Sequence, residues 1–298
     1  MLKTTREVRA SRNDSVLAWS LSAPALLYIG IVLLVPCIWG VFISLTSKKI
    51  GSQGVFTGLE NYIQLCSEKG FWNSVYVTLI FTFFAVLLKV VFGVILALLL
   101  NEKIRARGFF RGVLMLPWTL PILIAALTWR WMYSDVGGVL NYLLKLMNII
   151  QKDINFLGTP LLAMTSVIIV NVWKGVPFIA MSVLAGLQTI PSELYESARM
   201  DGANGLRQFY HITVPLLKSS IMLSTLMSTI WTLNNFEGVW LLTAGGPAGS
   251  TQVLSIYSYL TAMSNNDIGK AMAVSVLSLP FLILLINAVA RSSLKEER

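Results

Sequence analysis

Six polar side chains interrupt stretches that are otherwise apolar: Asn171, Lys174, Thr232, Asn234, Asn235 and Glu237. An amide, hydroxyl or ionised group inside such a stretch is costly, and it faces a cavity or a partner helix. Trp118, Trp173, Phe178 and Trp231 accompany these groups. Flat apolar faces beside amide hydrogen bonders suit a polyhydroxylated solute, whose ring faces are apolar and whose edges are polar. The chemistry is recognition without bond making. Tryptophans also serve as helix contacts and interfacial anchors, and for Trp129 and Trp131, beside Arg130, that role is preferred. Lys174 reads in two ways, as a contact for an anionic cargo or as the partner of Glu237 in an ion pair across the bundle, and the pairing is preferred.

Bond-making chemistry finds little support. There is no Gly-x-x-x-x-Gly-Lys-Ser/Thr phosphate loop and no metal-ligand cluster, and His211 is the single histidine. Glu237 or Asp135 would be the base of a membrane enzyme acting on lipid-linked sugars, but neither has a second catalytic group at sensible spacing. No catalytic, metal-binding or cofactor-binding residue is therefore expected. Cys37 and Cys66 read as two stray thiols, and His211 as an ordinary interfacial side chain rather than a pH switch.

The elements that position these groups are long apolar helices. The chain has 298 residues, 55% apolar and 12% charged, against about 25% charged in soluble domains. A membrane-crossing helix needs about 20 apolar residues, and six spans are expected, at about 16–46, 71–100, 110–132, 156–186, 216–242 and 269–290. This makes an all-α polytopic membrane protein. A run of small residues at Ser22, Ala23 and Ala25 raises a cleaved signal peptide, but the apolar run continues past it and an uncleaved anchor is preferred. The net charge of +9 would suggest nucleic acid in a soluble protein; here its placement points elsewhere. With the amino terminus inside, the inner segments hold fourteen of the 23 basic residues: Lys3, Arg6, Arg9, Arg12, Lys103, Arg105, Arg107, Arg111, Arg199, Arg207, Lys218, Arg291, Lys295 and Arg298. The positive-inside rule then puts both termini, residues 1–15 and 291–298, in the cytoplasm.

Between the spans, 47–70 reads as a short exposed connection and 243–265 as an outer loop rich in turn residues. Val139, Leu140, Leu143, Leu144, Met147 and Ile150 repeat at helical spacing and predict a helix lying on the outer surface. The inner segment 187–215 is too long for a tight turn. Pro191 suits a first helical turn, Glu193 complements the helix dipole and Gly202 is a natural stop, so a short helix is expected over Ser192 to Asp201. Asn204 would cap a second one through Ile212, and Pro215 would open the next span. A bundle with no fuel-burning site that carries such a knob inside the cell is shaped to take force from another protein.

The same segment carries a family resemblance. Glu196-Ser197-Ala198, Gly202, Ile212 and Pro215 are similar to the signature Glu-Ala-Ala, three residues, Gly, nine residues, Ile-x-Leu-Pro of binding-protein-dependent ABC importer permeases, with Ser197 and Val214 as the departures. The likeness extends to the sugar and glycerol-phosphate branch through Gly58-Leu-Glu-Asn-Tyr62, Leu116-Pro-Trp-Thr-Leu-Pro121, Asn171-Val-Trp-Lys-Gly-Val-Pro177, Asn234-Asn-Phe236 and Leu242-Thr-Ala-Gly-Gly-Pro247.

The resemblance implies a type I importer permease fold whose inner elbow sits in a groove of an ATPase, with Glu196, Arg199 and Asp201 facing it and Gly202 allowing close approach. It implies as partners a second homologous permease, a homodimeric ATPase that uses ATP and Mg, and an extracytoplasmic solute-binding protein. Residue by residue, the positions that hold a sugar in the maltose-type relatives fall here on Trp118, Ile122, Asn171, Gly175, Phe178, Ser228, Thr232 and Asn235. Ile122 stands where a hydroxyl is expected, so a maltose cargo is not implied. A secondary transporter is the competing class; it predicts inverted repeats, which are not seen, and leaves the elbow without a purpose.

Overall fold

The computed structural model describes residues 12–102 and 105–294. The expected inner cations Lys3, Arg6, Arg9, Lys103, Lys295 and Arg298 lie outside the described residues, as does the tail before Arg12. Helix α1 (Arg12–Ser44) begins three residues earlier than the expected tail boundary at 15. It is followed by α2 (Glu60–Ser67), α3 (Lys69–Asn101), α4 (Arg107–Thr119), α5 (Ile122–Met132), α6 (Val139–Leu146) and α7 (Pro160–Leu187). Then come α8 (Ser192–Met200), α9 (Gly205–Gln208), a π turn (Phe209–Thr213), α10 (Val214–Leu233), α11 (Phe236–Thr243), α12 (Leu254–Met263) and α13 (Ile268–Leu294).

Four stretches are long and apolar enough to cross a bilayer without a break: Trp19–Ser44, Lys69–Asn101, Pro160–Leu187 and Gly205–Leu233. The expected third span is not one rod. Pro121 has no N–H and disfavours helical backbone at Leu120, so α4 ends at Thr119 and α5 starts at Ile122, bent by 91°. The expected fifth span, 216–242, is likewise broken, because α10 stops at Leu233 and α11 restarts at Phe236. The sixth corresponds to α13, with a shorter apolar stretch at Ile268–Pro280. Two expected loops contain helices of their own: α2 lies in 47–70 and α12 in 243–265. The predicted surface helix is α6, whose Asn141 is buried and ties the segment down by donating to the Ser134 and Ile154 carbonyls. Cys37 and Cys66 are free and exposed.

Packing is organised around α3 and α7, the most extensively paired helices. Their close approach is set at Gly93, where a Cβ would come within 2.7 Å of Ile179 Cγ2. One apolar cluster joins Phe81, Ala85, Val167, Val176, Val239 and Ile256 across α3, α7, α11 and α12. A second joins Ala97, Ile179, Val183, Leu184 and Leu217 across α3, α7 and α10. Along α3 the two are separated by the stretch that carries Lys89. Helix α1 packs against α13 and leaves residues such as Trp19, Leu21 and Tyr28 about two-thirds or more exposed, a surface suited to lipid.

Candidate functional site

Between the two clusters lies a cavity of about 420 Å³. Helix α7 supplies Asn171, Lys174, Gly175 and Phe178 at i, i+3, i+4 and i+7, one face of a helix; α10 adds Ser228, Trp231 and Thr232 at i, i+3 and i+4. Trp118 ends α4, Ile122 opens α5, and Asn234, Asn235, Phe236 and Glu237 occupy the α10–α11 break. Trp118, Ile122, Asn171, Lys174, Gly175, Phe178, Ser228, Thr232, Asn235 and Glu237, the residues expected on a substrate path, therefore line one space.

The aromatic rings form a shelf. Trp118 stacks on Phe178 with centroids 6.4 Å apart and planes 18° from parallel, and Phe178 meets Trp231 edge-on at 4.7 Å. Trp173 does not join them; it packs against Trp129 at 5.5 Å, in the apolar core. Asn171 lines the same cavity, and its side-chain oxygen is buried with no hydrogen-bond partner among the described residues. Asn235 is half engaged, because its side-chain oxygen accepts from Gly238 N at 3.0 Å and caps α11.

The preferred Lys174–Glu237 ion pair is absent. Lys174 Nζ instead donates to the Leu120 carbonyl at 2.5 Å and approaches those of Pro117 and Trp118 at 3.4 Å. The physical reason is the bend: without an N–H at Pro121, and with α5 starting afresh at Ile122, the carbonyls at the end of α4 lose their helical donors. Lys174 replaces them.

Lys89, the lone charged residue of 71–100, is a member of the site. It is 4% exposed, and its ammonium donates to Thr232 Oγ1 at 2.8 Å and Ser228 Oγ at 3.3 Å. Gly175 makes room for its stem, since a Cβ there would lie 2.6 Å from Lys89 Cδ. The spacing signal for this contact is Ser228 and Thr232, one turn apart on a face of α10 that continues back to Ser224.

The elbow over 187–215 is built from α8, α9 and the π turn. Helix α8 starts after Pro191, which stands at its cap rather than in its first turn. It closes at Gly202, φ +80°, with Gly202 N bonded to Arg199 O and Ala203 N to Ala198 O, a Schellman closure. Asn204 caps α9 through Arg207 N at 2.9 Å. The second helix does not stop at Ile212 but runs through the π turn, which holds Ile212, into α10, which carries Pro215 in its first turn. Tyr195 and Thr213 hydroxyls bond at 3.0 Å, and the Gln208 amide donates to Ala203 O at 3.2 Å, so the two short helices are stitched together. Glu196, Ser197, Arg199, Asp201 and Gly202 are exposed, and Ala198 is half-buried. Missed in the sequence were the apolar side chains between them: Met200 is 89% exposed and Leu206 70%. No polar motif marks such residues. His211 is exposed and bonds the Arg207 carbonyl within the same turn, an ordinary local contact.

Glu68, at the cap of α3, pairs with Lys270 at 2.7 Å and accepts the Tyr257 hydroxyl. Burial alone would raise the Glu68 pKa, but the hydrogen bonds from Lys270 and Tyr257 outweigh it and hold the carboxyl below its ordinary value.

Comparison with known proteins agrees with this architecture. The chain is 35% identical to the trehalose/maltose transport system permease protein MalF of Thermococcus litoralis over 89% of its length and 90% of that protein's. It is 34% identical to the sulfoquinovosyl glycerol transport system permease protein SmoG of Agrobacterium fabrum, over 89% and 86%. In fold it is similar to a chain of a bacterial ABC transporter involved in the import of the acidic polysaccharide alginate, with TM-score 0.80 and 22% identity over 95% of this chain and 96% of that one. Residues 89–295, more than half of the sequence, match the binding-protein-dependent transport system inner membrane component, and the chain belongs to that family.

Proposed function

We propose that the chain is one of two permease subunits of an ATP-driven importer and that its cavity passes a carbohydrate through the cytoplasmic membrane. The observation that carries the cargo class is the cavity wall itself: a stacked Trp118–Phe178 pair lining one space with the amides of Asn171 and Asn235. A sugar ring has apolar faces for such rings and polar edges for such amides. Relatives named for trehalose/maltose and for sulfoquinovosyl glycerol transport support the same class.

Energy enters through the elbow. A homodimeric ATPase using ATP and Mg receives α8, with Met200 and Leu206 buried against it and Glu196, Arg199 and Asp201 around them. Exposed apolar side chains among charges are the anatomy of an interface. Closure of the ATPase pair moves the stitched elbow as a body, and α10, continuous with it, carries Ser228, Trp231 and Thr232 along. The cavity, shared with a second homologous permease, then alternates between a solute-binding protein outside and the cytoplasm, with both termini inside.

The test is co-purification from solubilised membranes, with binding-protein-stimulated ATPase assayed against neutral and acidic sugars. A co-purifying ATPase stimulated by a sugar is expected. A solitary chain, under conditions that preserve other importers, would overturn the reading in favour of a secondary transporter.

A further inference from the structure

Lys89 lines the cavity from α3, and its environment is unusual for a cation. Its two protein partners are neutral hydroxyls, and Thr232 gives its own proton to the Ser228 carbonyl at 2.6 Å, so it meets Lys89 as an acceptor. An ammonium has three donors, and one is left over. Among the described residues no carboxylate lies within ion-pair distance of it; Glu237, the acid in the cavity wall, is not its partner. The other cation of the wall, Lys174, is engaged by the carbonyls at the α4–α5 bend. Within an apolar bundle a charge with only dipoles around it is costly and calls for an opposite charge.

We infer that Lys89 reads a negative charge on the solute: the cargo is a sugar carrying a carboxylate or another oxyanion, seated with that group against Lys89, Ser228 and Thr232. This rests on the carbohydrate reading above and narrows it. If Lys89 were only a strut between α3 and α10, its charge would be indifferent to the cargo.

The experiment is equilibrium binding to the complete importer in nanodiscs, without binding protein so that its own selectivity does not filter the result. The probes are matched pairs, each a sugar and its counterpart with a carboxylate or phosphate: cellobiose and cellobiouronic acid, galactose and galacturonate, glycerol and glycerol phosphate. At least one acidic member should bind roughly tenfold or more tighter than its neutral parent, the size of one charge-assisted hydrogen bond. K89M should abolish the preference, so that acid and parent bind alike in that variant, and K89R should restore part of it. A neutral parent binding as tightly as its acid, or an acid preference that survives in K89M, would overturn the inference and leave the carbohydrate reading standing. Binding of neither member of any pair would overturn both. Because the wild-type comparison needs no variant, it decides the cargo's charge even if K89M fails to assemble.

Discussion

Replacing Gly202 separates what the elbow needs from what a partner's groove needs. At φ +80° it occupies the left-handed region, where an ordinary L residue costs about 1–2 kcal/mol and asparagine less. The Tyr195–Thr213 and Gln208–Ala203 bonds and the Asn204 cap oppose that strain. At about 1 kcal/mol each they exceed it, so the elbow should keep its shape. Among the described residues, none but its own chain neighbours lies within 4 Å of the position a Cβ would take. Once the backbone strain is met, this chain cannot distinguish alanine from leucine or phenylalanine. A groove pressed against Gly202 can.

The series G202N, G202A, G202L and G202F should therefore insert equally. The last three should also unfold at the same temperature in detergent. In proteoliposomes with ATPase and binding protein, uptake per ATP hydrolysed should fall with side-chain volume: near normal for Asn, reduced by at most about thirtyfold for Ala by the roughly 1–2 kcal/mol of strain, and abolished for Phe. Equal uptake by G202A and G202F would refute docking at this surface. Equal loss in Ala, Leu and Phe with Asn spared would assign the whole effect to backbone strain.

Four further outcomes follow from the geometry. Because Lys174 holds the Leu120 carbonyl and not Glu237, the double variant K174E/E237K should do no better than K174E alone; restored assembly would reinstate the ion pair. G93A sets a Cβ 2.7 Å from Ile179 Cγ2 and 2.9 Å from its Cβ; overpacking at about 1–3 kcal/mol outweighs a helix-propensity gain of about 1 kcal/mol, so the midpoint of thermal unfolding should drop, and a rise would contradict the close approach. N171L removes an acceptor that no protein donor uses, so stability should hold or increase while sugar binding falls by about tenfold or more, measured by the same equilibrium binding; lost stability would mean Asn171 serves the fold. Glu68, held below its ordinary 4.5 by Lys270 and Tyr257, contributes stability that is full above that pH and is lost as pH falls through its depressed native value. E68Q should flatten this acid limb of the stability profile, and an unchanged limb would show that the triad is inert.

Much of the architecture was legible because its signals are local. Apolar stretches report the solvent around a helix, and Pro191, Gly202 and Asn204 fix an elbow through φ preference and capping, which need no distant partner. The face 171, 174, 175, 178 was legible for the same reason, since helical periodicity alone brings those residues to one side. Continuity was not legible. A hydropathy pattern is satisfied equally by one rod and by two half-helices meeting at Asn234 and Asn235, because the residues at a break face a polar cavity and not lipid.

The two lysines show where charge reasoning fell short. Lys174 was matched to a carboxylate because only ionised side chains are visible as partners in a sequence, whereas its acceptors are backbone carbonyls released by Pro121 four residues after Pro117. Lys89 was overlooked because α3 is apolar on every side, so no periodicity says which way its one cation points. The direction is set by two absences, the missing Cβ at Gly175 and the missing carboxylate, and by two hydroxyls one turn apart on α10. An intramembrane cation is therefore best matched first against broken helix ends, which neutralise it with carbonyl dipoles, and only then against acids. Lys174 meets the first condition; Lys89 meets neither, and a cation that the protein leaves uncompensated is the one that has a ligand to compensate it.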